Sequence, residues 1–174
     1  MSFPRYSKYK ASGVEWLGEV PQHWDTPPLY LRYEAVLGKM LDEKRLTRTH
    51  LLPYVRNVDV QWDRVNVEEL PELDIAPDEL DRFTLKRGDL LICEGGEVGR
   101  TAIWRGELDQ CAFQKAIHRL RPLNDNEDQR FFFHCMSFAA STGVFIAEGN
   151  PNTIPHLTGE KLRRYRFPTP PHNE

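Results

Sequence analysis

Residues 83–104, FTLKRGDLLICEGGEVGRTAIW, constrain the fold more than any other stretch of the chain. Leu90-Leu91-Ile92-Cys93 is a short continuous apolar run, the pattern of a strand buried on both faces. Thr101-Ala102-Ile103-Trp104 is a second run of the same kind. Between them, residues 94–100 carry three glycines, which permit positive φ and close approach of another backbone or a ligand. Lys86-Arg87-Gly88-Asp89 reads as the tight turn feeding the first strand. Three readings of the glycine loop stand side by side. It is a hairpin turn with no further task, a nucleotide-binding loop, or a ligand-facing loop closed by Arg100. The residues argue against the second, because the segment has neither a Gly-Lys-Ser/Thr nor the G-x-G-x-x-G spacing that opens a helix. The third would bring backbone N–H groups close to phosphates or base edges.

A chain of 174 residues is long enough for a single domain that buries about 70% of its unfolded surface. At 40% hydrophobic and 28% charged residues it falls with folded globular proteins and not with disordered chains. No apolar run approaches the roughly 20 residues of a membrane span. The basic N-terminal residues have no apolar segment behind them, so no secretory signal is expected and the cytoplasm is the expected location. Cys93, Cys111 and Cys135 are widely spaced among apolar neighbours and read as reduced, buried thiols. With His118 or His134 they lack the paired spacing of a zinc site, so no metal is expected. The net charge of −3 is unevenly spread. Residues 63–81 carry eight acids and one arginine, a local balance of −7 that leaves +4 for the rest. Partners respond to local patches and not to the total. The acidic run itself reads as a solvated loop and helix face.

The remaining elements follow from local pattern. Residues 9–24, rich in turn formers, read as an extended arm or short turns pinned by Trp16 and Trp24. Residues 29–37 mix strand and helix signals and stay ambiguous. Residues 38–48 form a polar loop with Lys39, Lys44, Arg45 and Arg48, either simply exposed or facing phosphates. Residues 53–60 alternate with β-branched side chains, a strand signal. Residues 61–65 turn into the acidic segment, and residues 76–83 resemble a short helix begun at Pro77. Residues 116–122 alternate apolar and basic residues, predicting a half-buried strand with its cations on an open face. Residues 128–142 have helical spacing, with Asp128 to cap the start, Gly143 to end it, and Phe131-Phe132-Phe133 read as core. Residues 149–156 form a second loop suited to a ligand, with amides and a hydroxyl that fit a base edge, or else an ordinary Asn/Pro turn. Residues 158–162 read as a capped helical turn and residues 164–168 as a last strand.

Reaction chemistry is hard to find. There is no H-E-x-x-H, no G-x-S-x-G and no cofactor fingerprint. Asn150-Pro151-Asn152 lacks the aromatic of an amide-methyltransferase motif, and Glu94 and Glu97 read as turn carboxylates. Catalysis by this chain alone is not expected.

The order of the segments resembles a target recognition domain from the specificity subunit of Type I restriction–modification enzymes. The likeness begins in Tyr9-Lys10-x-Ser12-Gly13-Val14-Glu15-Trp16-Leu17-Gly18-Glu19-Val20-Pro21-x-x-Trp24 and Tyr54-Val55-Arg56-x-x-Asp59-Val60. It continues in Lys86-x-Gly88-Asp89-Leu90-Leu91-Ile92, in Gly95-Gly96-x-Val98-Gly99-Arg100 and in Leu120-Arg121-Pro122. It closes with Ile154-Pro155-x-Leu157-Thr158 and Phe167-Pro168-x-Pro170-Pro171.

The resemblance implies an α+β fold: a single compact domain over residues 1–174 with a twisted mixed or antiparallel sheet, a few helices and long DNA-facing loops. Residues 1–26 would be an arm packed on the domain. Residues 166–174 would end it where the family's long coiled-coil spacer helix begins, a helix this sequence lacks. The function implied is non-catalytic recognition of double-stranded DNA, one half of a bipartite site per domain. Modification subunits and a restriction subunit are the implied partners, together with a second specificity half or a second copy of the chain. No cofactor is expected in this chain, S-adenosylmethionine belonging to the modification subunit. The alternative function is a truncated or half-subunit interaction module that pairs with specificity or modification subunits and binds DNA weakly alone. Carried over, the DNA-facing positions are Lys39, Lys44 and Arg48; Glu94, Gly95, Gly96, Glu97 and Arg100 with Gln114 and Lys115; and Asn150, Asn152 and Thr153. Lys39, Lys44, Arg48 and Arg100 suit phosphate or guanine, and Gln114, Asn150 and Asn152 suit adenine edges. Glu94 and Glu97 suit cytosine amino groups.

Overall fold

The apolar run Leu90-Leu91-Ile92-Cys93 is a strand buried along its whole length, and the described chain is layered around it. The computed structural model describes residues 5–41, 47–147, 156–171 and 174. In chain order the strands are β1 Tyr9–Ala11, β2 Glu19–Pro21, β3 Tyr33–Leu37, β4 Leu51–Val55, β5 Val60–Gln61, β6 Arg64–Val65, β7 Glu72–Asp74, β8 Leu90–Cys93, β9 Thr101–Ile103, β10 Ala112–Phe113 and β11 Ile117–Pro122. The helices are α1 Leu80–Phe83, α2 Gln129–Ser141, α3 Val144–Ala147 and α4 Gly159–Arg164. The fold is α+β.

The central sheet is antiparallel with order β3-β11-β8-β9. Alternation along its strands divides the core in two. Leu90, Ile92, Leu120, Tyr33 and Ala35 face α2 and meet Phe132, Phe133, Met136 and Ala139. Leu91, Cys93, Ala102 and Ile117 face the other way and meet Val55, Val60, Trp104 and Phe113. That second layer holds a mixed sheet in which β4 pairs parallel to β10 and antiparallel to β7, backed by Tyr54, Leu73, Ile75 and Phe83. Each large side chain so enclosed contributes about 1.5–3 kcal/mol relative to exposure. The predicted sheet core and the α2 helix are present; of the three phenylalanines read as core, Phe132 and Phe133 are buried and Phe131 is half-buried against Trp24. The Asp128 carboxylate caps α2 by accepting from Phe131 N–H at 2.8 Å, and Gly143 follows the helix at φ 76°.

Several expectations change. Strand β11 presents no open face, because it lies between β3 and β8 and is covered on both sides. His118 and Arg119 are therefore buried, each 1% exposed. Arg119 pairs with Glu34, reaches the carbonyls of Asp81 and Thr84, and lies over the Phe113 ring. Arg121 grips Asp89 with two bonds of 2.8 Å, and Asp89 also accepts the Lys86 amide at 2.7 Å, which closes the 86–89 turn. The segment at 9–24 is a β1–β2 hairpin flanking a 3₁₀ turn, with Trp16 edge-on to Phe167 and Trp24 edge-on to Phe131. Residues 29–37 resolve into both alternatives, a 3₁₀ turn Leu29–Leu31 followed by β3. The strand read over 53–60 starts at Leu51 and breaks at a 3₁₀ turn, Asn57–Asp59. The last strand is reduced to single bridges at Arg166 and Thr169, since α4 runs through Arg164. The acidic run is partly absorbed into the fold. Asp63 takes Arg105 and Arg130, Asp74 accepts the amides of Arg48 and His50, Glu79 takes Lys39, and Asp81 takes Lys86.

Burial raises the pKa of all three thiols, pushing Cys111 and Cys135 up to about 12. Cys93 and Cys111 are fully enclosed and Cys135 is half-buried. Among the described residues no helix is long and apolar enough to cross a membrane.

Candidate nucleic-acid interface

The strands β8 and β9 form the expected hairpin, and its glycine loop stands at one end of the central sheet. Backbone hydrogen bonds tie distant segments to that end. Glu94 N–H donates to the Ala116 carbonyl at 2.9 Å, and Leu157 N–H donates to the Glu94 carbonyl at 2.8 Å. Lys115 N–H donates to the Lys39 carbonyl at 2.9 Å, and Lys39 bridges Gln114 in parallel register. Gly38 makes this last approach possible. A Cβ on it would stand 2.2 Å from the Gln114 carbonyl oxygen, so no other residue fits without moving backbone.

Asn57, which the sequence reading passed over as part of a strand, holds the centre of this edge. Its Nδ2 donates to the Ala116 carbonyl at 3.1 Å and to the Gly95 carbonyl at 3.4 Å. The Arg100 guanidinium donates to the Asn57 backbone carbonyl at 2.9 Å and to Oδ1 at 3.2 Å. Arg56 and Asp59 lock the turn that carries Asn57, through two side-chain bonds of 2.8 Å and a third to the Arg56 amide. Ala116 takes a φ of 85°, a strained conformation for a residue with a Cβ, and two donors fix its carbonyl. On the far side of the glycine loop, Trp62 Nε1 donates to Glu97 at 2.6 Å and its ring stands against Phe133. His118 supports the edge from beneath. Its Nε2 lies 2.8 Å from the Leu157 carbonyl, which only accepts, so this nitrogen carries the proton. Burial lowers the His118 pKa below its ordinary value and keeps the ring neutral, against the raising effect of that carbonyl and of Glu94.

The residues singled out from sequence now divide. Gly95, Gly96, Glu94, Gln114 and Lys115 come together on this edge, with the Lys39 backbone beside them. The Gln114 carboxamide is half-buried and the Lys115 ammonium exposed, and neither makes a side-chain bond within the described chain. Arg100 is committed inward, its side chain 13% exposed, with Glu97 at 3.4 Å as its acidic partner. Lys39 is likewise engaged, its ammonium on Glu79. Arg48 is exposed but precedes the first residue of β4, whereas Asn57 follows the last, so the two lie toward opposite ends of that strand. Lys44, Asn150, Asn152 and Thr153 lie outside the described residues. The signal for Asn57 was faint: a lone Asn at the end of a strand pattern, followed by Asp59.

Among the described residues no three His, Cys, Asp or Glu side chains gather as a metal site. The sheet thus carries polar and glycine-rich loops on one end, joined to one another by backbone bonds. The profile of the Type I restriction modification DNA specificity domain matches residues 38–174, and the chain belongs to that family. Its fold is similar to a chain of a type I R-M system solved in a study of complex assembly and conformational transition, at TM-score 0.65 and 17% identity, over 94% of this chain and 37% of that one. It is similar as well to the HsdS subunit from Thermoanaerobacter tengcongensis, at TM-score 0.64 and 17% identity, over 95% and 37% of the two chains. The S subunit of a Type-I restriction-modification system from M. genitalium follows at TM-score 0.55 and 14% identity, over 87% and 35%. At these identities the likeness is one of fold, and this chain spans little more than a third of the length of those structures. No curated protein sequence matches it.

Proposed function

We propose that this chain reads double-stranded DNA through the loop edge around Asn57, supplying one half of a bipartite site to a Type I restriction–modification complex. The observation that carries the reading is the convergence of the glycine loop, the Gln114-Lys115 turn and the segment at His156-Leu157 on one end of the sheet. Lys115 supplies a cation with no acidic partner among the described residues for a phosphate, and Gln114 supplies a carboxamide of the kind that pairs with adenine. Single-residue contacts at Lys44, Asn150, Asn152 and Thr153 belong to the same proposal. Chemistry on the DNA falls to partner subunits: modification subunits carrying S-adenosylmethionine, and a restriction subunit. Selection of duplexes from a random pool at moderate salt tests the reading. Enrichment of one short motif supports it, and a pool that stays random with modification subunits present sinks it. In that second case, co-purification with those subunits that survives neutralising Lys39, Lys44, Arg100 and Lys115 points to an interaction module instead.

A further inference from the structure

Asn57 commits its amide donors inside the protein. Both uses of Nδ2 go to carbonyls of two different loops, and Oδ1 receives Arg100. It therefore has no N–H left to offer a base. What it does is fix one loop relative to the other. Its partners Gly95 and Ala116 stand 38 and 59 residues away in sequence, and among the described residues no other side chain hydrogen-bonds both. The glycine loop rises from β8 and β9 and the Gln114-Lys115 turn lies between β10 and β11, with β8 and β11 paired beneath them at Cys93 and Ile117. Beyond those strands the two loops are joined by the Glu94–Ala116 backbone bond and by the Asn57 carboxamide.

We infer that Asn57 is a positioning residue for sequence discrimination: it sets the offset between the glycine loop and the Gln114-Lys115 turn, and with it the register in which both meet the base pairs. The inference rests on the DNA-reading role proposed above. Base contacts are sensitive to such an offset because each depends on donor–acceptor geometry within a groove, whereas a phosphate contact by a long cationic side chain tolerates displacement. Asn57 thus governs which sequences bind, and Lys115 how tightly any sequence binds.

The isosteric variant Asn57→Asp isolates the claim. It keeps an acceptor for Arg100 and puts an oxygen, with no proton to give, against the carbonyls of Gly95 and Ala116. Hydrogen exchange of the free protein is the first readout. The amides of Glu94 and Lys115 are expected to speed up together by about tenfold in Asn57→Asp, while those of Leu91 and Ile92 in β8 stay slow. The second readout is duplex selection, where the variant is expected to lose about tenfold or more of its preference for the enriched motif with an unchanged salt slope. A rise confined to one loop overturns the coupling. A rise that spreads into β8 overturns it as well, making Asn57 a general stabiliser. Unchanged discrimination in a variant whose two loops have loosened overturns the role in recognition. If the wild-type chain enriches no motif, the DNA reading itself has failed, and the exchange measurement still decides the coupling. Asn57→Ala, which removes both functions of the amide, is expected to repeat the Asp result with a larger loss of stability.

Discussion

Arg100 donates its Nη2 to the backbone carbonyl of Asn57 at 2.9 Å and to Oδ1 of the same residue at 3.2 Å, so the cation that closes the glycine loop points into the protein. A guanidinium so held is a strut. Arg100→Ala removes charged, part-buried hydrogen bonds to Asn57, a loss of about 1.5–3 kcal/mol. Urea unfolding is expected to register that loss. The salt slope of DNA binding is expected to stay where it was, because no phosphate contact is deleted. A slope lower by about one ion, with stability intact, would instead place Arg100 on the DNA.

Lys115 is expected to behave in the opposite manner. Its ammonium is exposed and has no acidic partner in the described chain. Lys115→Ala should leave stability within about 0.5 kcal/mol, as most surface substitutions do. Binding should weaken uniformly across duplexes, and the salt slope should fall by about one. Titrations of two unrelated duplexes at several salt concentrations check both points. A loss confined to one sequence would make Lys115 a base reader.

The contrast between these two cations marks what a sequence discloses and what it hides. Signals spanning a few residues were legible: the β8–β9 hairpin from apolar runs separated by glycines, the α2 cap from Asp128, the helix end from Gly143. Whether a cation reaches solvent depends on what is laid over it. Arg119 reads as an outward cation from alternation alone, yet Glu34 and the Thr84 carbonyl, both distant in the chain, enclose it together with the Phe113 ring. Arg100 is hidden for the same reason, because the carbonyl it holds lies 43 residues away. Asn57 was illegible because a single amide at a strand end has no spacing pattern to betray it. The family resemblance located the glycine loop and the Gln114-Lys115 turn, and only the hydrogen bonds between them reveal what joins the two.

Gly38 supplies a steric test of that junction. A methyl group there would meet the Gln114 carbonyl oxygen at 2.2 Å and the carbonyl carbon at 2.4 Å, both backbone atoms with no rotamer to change. Gly38→Ala is expected to destabilise by about 3 kcal/mol, the cost of forcing backbone apart in a packed region. The end of β3 should then part from the Gln114-Lys115 turn, and the Lys115 amide, bound to the Lys39 carbonyl, should exchange faster. Urea unfolding with hydrogen exchange measures both, and a stability change below about 1 kcal/mol would contradict the close approach.

The pH dependence of this edge follows from His118. The ring is buried, donates to the Leu157 carbonyl, and is faced by Glu94, which favours protonation, and Arg163, which opposes it. Burial outweighs the rest, and the folded pKa lies below the unfolded value of about 6.5. Below about pH 6.5 the unfolded chain therefore binds more protons than the folded one, and stability falls as pH drops toward the folded pKa. Above that value the contribution is complete and flat. His118→Gln, which keeps an N–H donor for Leu157 and cannot take up a proton, is expected to flatten this part of the curve. Unfolding midpoints at pH 7.5, 6.5 and 5.5, numbers chosen to bracket the roughly 6.5 of an unperturbed imidazole, make the comparison. Equal pH slopes in wild type and variant would show that other groups govern the acid limb.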